Sequence, residues 1–404
     1  MLPKEQNELL CRTDRGTPMG DVMRRYWQPV GLSSELKAGG KPKEVKVVGE
    51  ELVLFRDDNG KPGLLGLHCS HRLTSLAYGR VEDGGIRCPF HGWLYDVGGR
   101  CLEQPAEPEP YCERIRHPSY PCEELGGLVF AYMGPEDKKP LLPRYEVLVR
   151  KDGTRKVDYY FINSNYLQNV EGAVDTVHAA YLHMDQWASR KKALFQLPKP
   201  QLDFREVDWG IWQKSICPLP EMEGPVVGAM YGHFFMPAGF MRVQGSPRDR
   251  TIIQKFQSWY VPMDDHHTKR FQVAYSPPDR NGNLFEWPPE KTYTQPGPEN
   301  EYYRTYEETD TISGIPIRTA ASAVKGFLVQ DSMANESQGM LVDRTQEHLG
   351  ANDKVLMAQR IMCLVAIEDV RKGKDPKHTI RDPAQNQMIY LGLKQGEEED
   401  LIAL

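Results

Sequence analysis

Two short residue pairs constrain this chain more than any other feature: Cys69-Ser70-His71 and Cys88-Pro89-Phe90-His91, with 16 residues between them. Each pair offers one thiolate and one imidazole from a tight loop. Two such loops, each at the tip of a hairpin, can grip a metal group from opposite sides. Two cysteines on one iron and two histidines on the other form the mixed ligand set of a 2Fe-2S cluster with a raised reduction potential. Structural zinc also takes two cysteines and two histidines, but zinc fingers pair Cys with Cys and His with His. Here each loop mixes the two types, which favours the cluster.

The chain has 404 residues, room for two to three domains. Hydrophobic residues make up 40% and charged residues 26%, so ordinary cores can form and the disorder signature is absent. The net charge of -6 argues against a nucleic-acid partner. No run approaches the roughly 18 apolar residues of a membrane span. The stretch from Met1 to Arg12 is polar and carries acids, unlike a secretory signal. A cytoplasmic protein without membrane or nucleic-acid partners is expected. In that compartment the eight cysteines are reduced thiols or metal ligands. Apart from Cys69 and Cys88, the other six (Cys11, Cys101, Cys112, Cys122, Cys217 and Cys363) read as small buried core residues.

The pattern along the chain predicts an α+β protein with a helical segment at 1–26, a small all-β domain at 27–136 and a second domain at 137–404. Val45 to Val48 and Glu51 to Phe55 flank Gly49-Glu50 as a hairpin, and Asp58-Asn59-Gly60 and Asp83-Gly84-Gly85 are turns. Gly126 to Tyr132 reads as a buried strand. After Pro140 a helix around 165–183 precedes strands at about 202–216, 227–243, 251–263 and 270–276. The Pro/Gly/Asn-rich 277–300 reads as a loop. Asn352-Asp353 opens a helix to about Arg371, with Gly373 as its stop and Val355, Leu356, Ile361, Met362 and Val365 as a partial apolar stripe. The tail 395–404 is acidic and solvated.

A second constellation lies in Asp175-Thr176-Val177-His178-Ala179-Ala180-Tyr181-Leu182-His183. Residues five apart on an ideal helix point ~140° away from each other. His178 and His183 share a metal only if the helix bulges or ends between them. Two histidines and one carboxylate on one face of an iron make a non-haem Fe(II) oxygen-activating site. The carboxylate must come from elsewhere. Asp331, Glu336, Asp343 and Glu347 all qualify on spacing.

The two constellations in this order resemble the oxygenase (alpha) subunit of Rieske non-haem iron aromatic ring-hydroxylating oxygenases, over about 25–372. The run Asn165-x-x-Gln168-x-x-Glu171-Gly172-x-x-Asp175-x-x-His178-x4-His183 is closest to the phthalate dioxygenase branch. So are Gln330-Asp331-Ser332 through Glu336, Asp343-Arg344 and Glu347-His348-Leu349-Gly350. High-potential respiratory Rieske proteins add a disulfide-bonded cysteine in each loop. Thr74 and Phe90 stand at those positions here, which matches the low-potential oxygenase type. The resemblance implies a helix-grip (START-like) catalytic domain with an antiparallel sheet, and mononuclear iron held by His178, His183 and Asp331. It also implies that Asp175 bridges an iron-ligand histidine to a Rieske histidine of another subunit, in a homotrimer or a hexamer of stacked trimers. A carboxylate between two imidazoles fixes both tautomers.

No Gly-x-Gly-x-x-Gly fingerprint follows a strand. The resemblance then implies that electrons come from NAD(P)H through a separate reductase, carrying flavin and its own 2Fe-2S cluster. The resemblance implies dioxygen and a small aromatic compound as substrates, the latter carrying a carboxylate and undergoing dihydroxylation. Monooxygenation or aryl ether O-demethylation on the same scaffold is the alternative, and a simple Rieske electron carrier and a zinc-stabilised ligand-binding protein are the readings from other classes. A substrate carboxylate calls for an arginine. Arg242 is preferred over Arg205, Arg248 and Arg250, and Trp212, Phe235 and Phe240 are candidate aromatic walls.

Overall fold

The structure is a computed structural model that describes residues 1–183, 201–219, 226–245, 252–288 and 327–393. Helices Lys4–Cys11 and Pro18–Met23 lead into three small antiparallel sheets. The first joins Trp27–Leu32 to Leu128–Tyr132 and Cys122–Leu125. The second orders Lys43–Val47, Glu50–Arg56, Pro62–Gly66 and Ser119–Tyr120. The third orders Arg80–Glu82, Gly85–Arg87, Leu94–Asp96 and Cys101–Glu103. The expected hairpin at Gly49-Glu50 turns one residue earlier, through Val48 and Gly49, both at positive φ (49° and 79°). A β-branched residue rarely sits there. Its N–H donates to the Pro262 carbonyl (2.7 Å) and that of Gly49 to Met263 (2.9 Å), which ties the turn to the second domain.

That domain is built on a seven-stranded antiparallel sheet. Gln201–Val207, Gly210–Leu219, Val226–Phe235, Gly239–Gly245, Ile253–Pro262 and Thr268–Ser276 run as a meander, and Thr154–Ile162 pairs beside the last of them. Two strands expected as single runs are hairpins. The 202–216 run turns at Asp208-Trp209, where Gly210 takes φ +136° against the Phe234 carbonyl, a place no side chain fits. Helix Tyr166–Val174 packs on the sheet, with His178–Leu182 and Phe327–Glu336 beside it, in the helix-grip arrangement. The two domains share one core, running from Trp27 and Phe130 to Trp259 and Phe271. A smaller core, with Phe55, Leu65 and Trp93, backs the metal loops.

The last long helix spans Lys354–Arg371. Its expected apolar stripe is only half right: Val355, Leu356 and Met362 are buried, while Ile361 and Val365 are 61% and 45% exposed. The helix instead buries Gln359 and Arg360, because Arg360 is needed for an ion pair beneath the site. Residues 289–300 and 395–404 lie outside the described residues. Among the described residues no helix is long and apolar enough to cross a membrane.

Candidate metal centres and active site

The two cluster loops are built alike. In each, the cysteine N–H donates to a carbonyl five residues on (Cys69 to Thr74, 2.9 Å; Cys88 to Trp93, 2.8 Å). Its own carbonyl accepts from the residue four on (Leu73, 2.9 Å; Gly92, 3.1 Å). That fourth residue turns through positive φ in both, Leu73 at 60° and Gly92 at 78°. The shared geometry swings Cys and His of each loop to the same point. His71 and His91 meet with ring centroids 4.5 Å apart, and Trp93 stacks on His71 at 4.7 Å, nearly parallel. The two thiols belong to the same small core, and the Tyr95 hydroxyl lies 3.2 Å from the Cys69 sulfur. Cys88 and Tyr95 hold the Cys69 thiol below its usual range against the effect of burial. Two adjacent thiols and a buried His71 Nδ1 with no protein partner are donors that a 2Fe-2S cluster would satisfy. None of the described cysteines forms a disulfide; the side chain of Cys217 is outside them.

His117 supports the first loop, and sequence reading missed it. Its Nε2 lies 2.7 Å from the Gly66 carbonyl and so carries the proton, which leaves Nδ1 to accept from the Ser70 hydroxyl at 2.8 Å.

The second constellation rests on anchors that explain its sequence. Asn165 caps its helix by accepting from the Leu167 N–H and donates to the Cys11 and Asp265 carbonyls. Gln168 donates to the Asn335 and Gly339 carbonyls and accepts from the Val342 N–H. A side chain on Gly172 would press on Asn335 at 2.9 Å, so glycine lets helix Phe327–Glu336 come close. Glu171 is buried between Arg344 (2.7 Å) and Arg360 (2.6 Å).

The helix expected over 165–183 is two helices. The backbone is extended at Asp175 (ψ 109°), whose carboxylate accepts the Val177 N–H at 2.8 Å. The second helix ends at Leu182, and His183 has left helical geometry (φ -96°, ψ 20°). That ending lets both imidazoles converge, with ring centroids 5.3 Å apart. One ligand atom from each of His178, His183 and Asp331 lies within 4.8 Å of the others. Asp331 Oδ1 is 3.4 Å from His178 Nε2 and 3.0 Å from His183 Nε2. Burial pushes its carboxyl up, but the two imidazoles beside it win and hold it well below the usual range. The Gln330 amide oxygen accepts from His183 Nδ1 at 2.7 Å, which turns the Nε2 lone pair toward the site. Two histidines and one carboxylate facing one cavity fit a mononuclear iron(II). The rival acids are engaged elsewhere: Glu336 with the Asn163 N–H, Asp343 with Thr345 and Glu347 with Arg360.

Asp175 lies 3.9 Å from His178 Nδ1 and is half-buried. Among the described residues, no hydrogen bond or ring contact within the chain joins it to His71 or His91.

A cavity of about 350 Å³ opens over the triad, and the sheet supplies its wall. Arg242 lines it, with its guanidinium 5.0 Å over the Phe256 ring and no hydrogen-bond or ion-pair partner among the described residues. Phe240 lines it too. Trp212 does not. Side chains alternate across a strand, and its neighbour Gln213 faces the site helix, donating to the Val174 carbonyl at 2.8 Å. Trp212 therefore sits on the other face, under Arg205 and beside Tyr231. Phe235 belongs to the core beside Tyr145 and Trp259. Arg248 and Arg250 lie outside the described residues. Sequence reading missed Tyr160 and Arg270, which face Arg242's side of the sheet. Arg270 and Gln272 alternate with buried Phe271 and Val273, a period-two polar pattern that marks a wet inner face.

The Rieske [2Fe-2S] domain family matches residues 26–121. The 5,5'-dehydrodivanillate O-demethylase oxygenase subunit of Sphingobium sp. is 33% identical over 97% of this chain and 86% of its own length. The phenoxybenzoate dioxygenase subunit alpha of Ectopseudomonas oleovorans is 33% identical over 93% and 88%. The phthalate 4,5-dioxygenase oxygenase subunit of Pseudomonas putida is 28% identical over 93% and 88%. The solved terminal oxygenase of carbazole 1,9a-dioxygenase from Nocardioides aromaticivorans shares the fold, with a TM-score of 0.59 at 20% identity over 92% of this chain and 98% of that one. The chain belongs to the Rieske non-haem iron aromatic ring-hydroxylating oxygenases, as an oxygenase subunit of the phthalate dioxygenase branch.

Proposed function

We propose that this terminal oxygenase acts on an aromatic carboxylate, with Arg242 receiving the carboxylate and His178, His183 and Asp331 holding the iron beneath the ring. Cys69, His71, Cys88 and His91 hold the cluster in this reading, and the working division of the chain is 27–136 and 137–404. The observation that carries the substrate class is Arg242, a guanidinium on the wall of the triad's cavity with no carboxylate of its own among the described residues. An enclosed cation of this kind is matched by an anionic ligand.

When bound, the cluster relays single electrons from a separate NAD(P)H-dependent reductase and the iron activates dioxygen. The chain's own residues orient and insulate. Gln330 fixes the His183 tautomer, Phe240 and Phe256 flank the ring, and Arg242 sets which edge faces the triad.

Asp175 is the proposed link between His178 and a cluster histidine of a neighbouring copy, which makes a homotrimer, or two stacked trimers, the working unit. Its partial exposure supports this, as do the exposed Leu73 and Phe90 at the tip of the cluster domain. Asp175→Asn should keep cluster and iron yet stop turnover; normal turnover would remove the bridge. The cytoplasm, with its reduced nicotinamide pool, is the proposed compartment.

Oxidative O-demethylation is a second reading, favoured by the likeness to the 5,5'-dehydrodivanillate O-demethylase subunit. Incubation with a surrogate reductase and a panel of aromatic acids, aryl ethers and neutral arenes decides. Turnover of the acids, giving diols or formaldehyde, separates the two chemistries. Exclusive turnover of neutral arenes would refute the Arg242 reading.

A further inference from the structure

We propose that the cavity has a second polar anchor, the Tyr160 hydroxyl backed by Arg270, which selects aromatic carboxylates that carry a further oxygen acceptor on the ring. This rests on the reading of Arg242 as the carboxylate's partner.

Arg270 is locked. Its Nε donates to the Ser258 hydroxyl at 3.0 Å and one terminal nitrogen to the Gln272 amide oxygen at 2.7 Å. Its other terminal nitrogen donates to the Tyr160 hydroxyl. A guanidinium only donates, so the Tyr160 oxygen is the acceptor in that contact. The phenolic proton cannot turn toward Arg270 and has no other partner among the described residues. Tyr160 lines the cavity, so the proton is available to a ligand there. Burial pushes the Tyr160 phenol up, which keeps it a donor at neutral pH.

The wall thus presents two donor groups of different kinds. Arg242 offers a charged fork, and Tyr160 offers a single neutral O–H whose direction Arg270 fixes. Ser258 does not compete, because it accepts from Arg270 and faces the Gln272 oxygen. A ligand that meets only Arg242 leaves the Tyr160 donor dry and unpaired. A site built to hydrogen-bond a ligand oxygen rejects the analogue lacking it for this reason. Tyr160 is therefore a specificity-determining residue, and Arg270 a positioning residue that acts through it.

The test uses near-isosteres that exchange an ether oxygen for a methylene. Binding of 3- and 4-methoxybenzoate is compared with 3- and 4-ethylbenzoate by calorimetry on the loaded holoenzyme without reductase, and 3- and 4-methoxytoluene report on the carboxylate. At least one methoxybenzoate should bind about ten-fold or more tightly than its ethyl partner. Tyr160→Phe should bring that ratio to within about two-fold while keeping the preference for benzoate over toluene. Tyr260→Phe, which removes a cavity hydroxyl with no hydrogen bond to Arg270, should leave the ratio in place. Equal or absent binding of both members of each pair in the wild type overturns the proposal, as does an unchanged ratio in Tyr160→Phe. Collapse of the ratio in Tyr260→Phe alone also overturns it. Loss of the benzoate-over-toluene preference in the wild type would instead refute the Arg242 reading, and the methoxy-to-ethyl ratio would still report on Tyr160. Should Tyr160→Phe fail to load its cluster, the wild-type ratio decides.

Discussion

Replacing Arg242 by methionine should weaken substrate binding without destabilising the protein, and the structure sets both halves of that expectation. The guanidinium lies over Phe256 with no ion-pair partner among the described residues, and burial and the charge of Arg270 disfavour its charged form and outweigh the Asp331 charge across the cavity. The free protein therefore holds this cation at a cost, and methionine fills similar space against the same ring. Charge-assisted hydrogen bonds contribute ~1.5–3 kcal/mol each, so a carboxylate held by the fork gains about 3 kcal/mol or more. The dissociation constant for an aromatic carboxylate should rise by ~100-fold. Calorimetric titration with a substituted benzoate reads the first half. The melting temperature of the loaded, ligand-free enzyme reads the second, and should hold or rise. A fall of several degrees with unchanged affinity would show that Arg242 serves the fold and not the ligand.

Glu171→Gln leaves Arg344 and Arg360 facing each other beneath the site helix, a loss of about 3–5 kcal/mol. The denaturation midpoint and the iron content of the second site should both fall, and a cost under about 1 kcal/mol would contradict the anchor role. Tyr95→Phe removes the hydroxyl 3.2 Å from the Cys69 sulfur, so the midpoint potential of the cluster should drop. A potential that holds or rises would mean that this hydroxyl does not donate to the sulfur. His233 is 4% exposed and burial holds its imidazole down to about 4, against about 6.5 when unfolded. Its contribution is complete above about pH 6.5 and is lost as pH falls toward 4, up to roughly 3 kcal/mol. Melting against pH should show that loss in the wild type and less of it in His233→Gln; identical profiles would contradict it.

The candidate cluster site was legible because its residues are local. Two loops of five residues contain all four side chains and the turn that aims them. The iron site was only half legible. Asp175, His178 and His183 share one segment, but the break at Asp175 and the helix end at His183 depend on backbone geometry that composition does not mark. Asp331 comes from a distant helix, and spacing alone could not separate it from Glu336, Asp343 and Glu347. The structure separates them by their partners: each rival is tied to a backbone amide, a threonine or an arginine. The cavity wall was least legible. Its residues come from several strands, and a one-residue error in strand phase moves a side chain to the opposite face. Of the candidate wall residues, Trp212 lies on the other face of the sheet and Phe235 in the core, whereas Arg242 and Phe240 line the cavity. Arg270 and Tyr160 needed the register between Thr154–Ile162 and Thr268–Ser276, which pairs them directly.

The most direct test of the two-centre account is the metal and sulfide content of the purified protein beside His178→Ala and Cys69→Ala. The wild type should carry about three irons and about two acid-labile sulfides per chain. His178→Ala should lose about one iron and keep its sulfide and cluster spectrum, and Cys69→Ala should lose the sulfide. Zinc in place of iron, or a His178→Ala protein with the full iron content, would contradict the account.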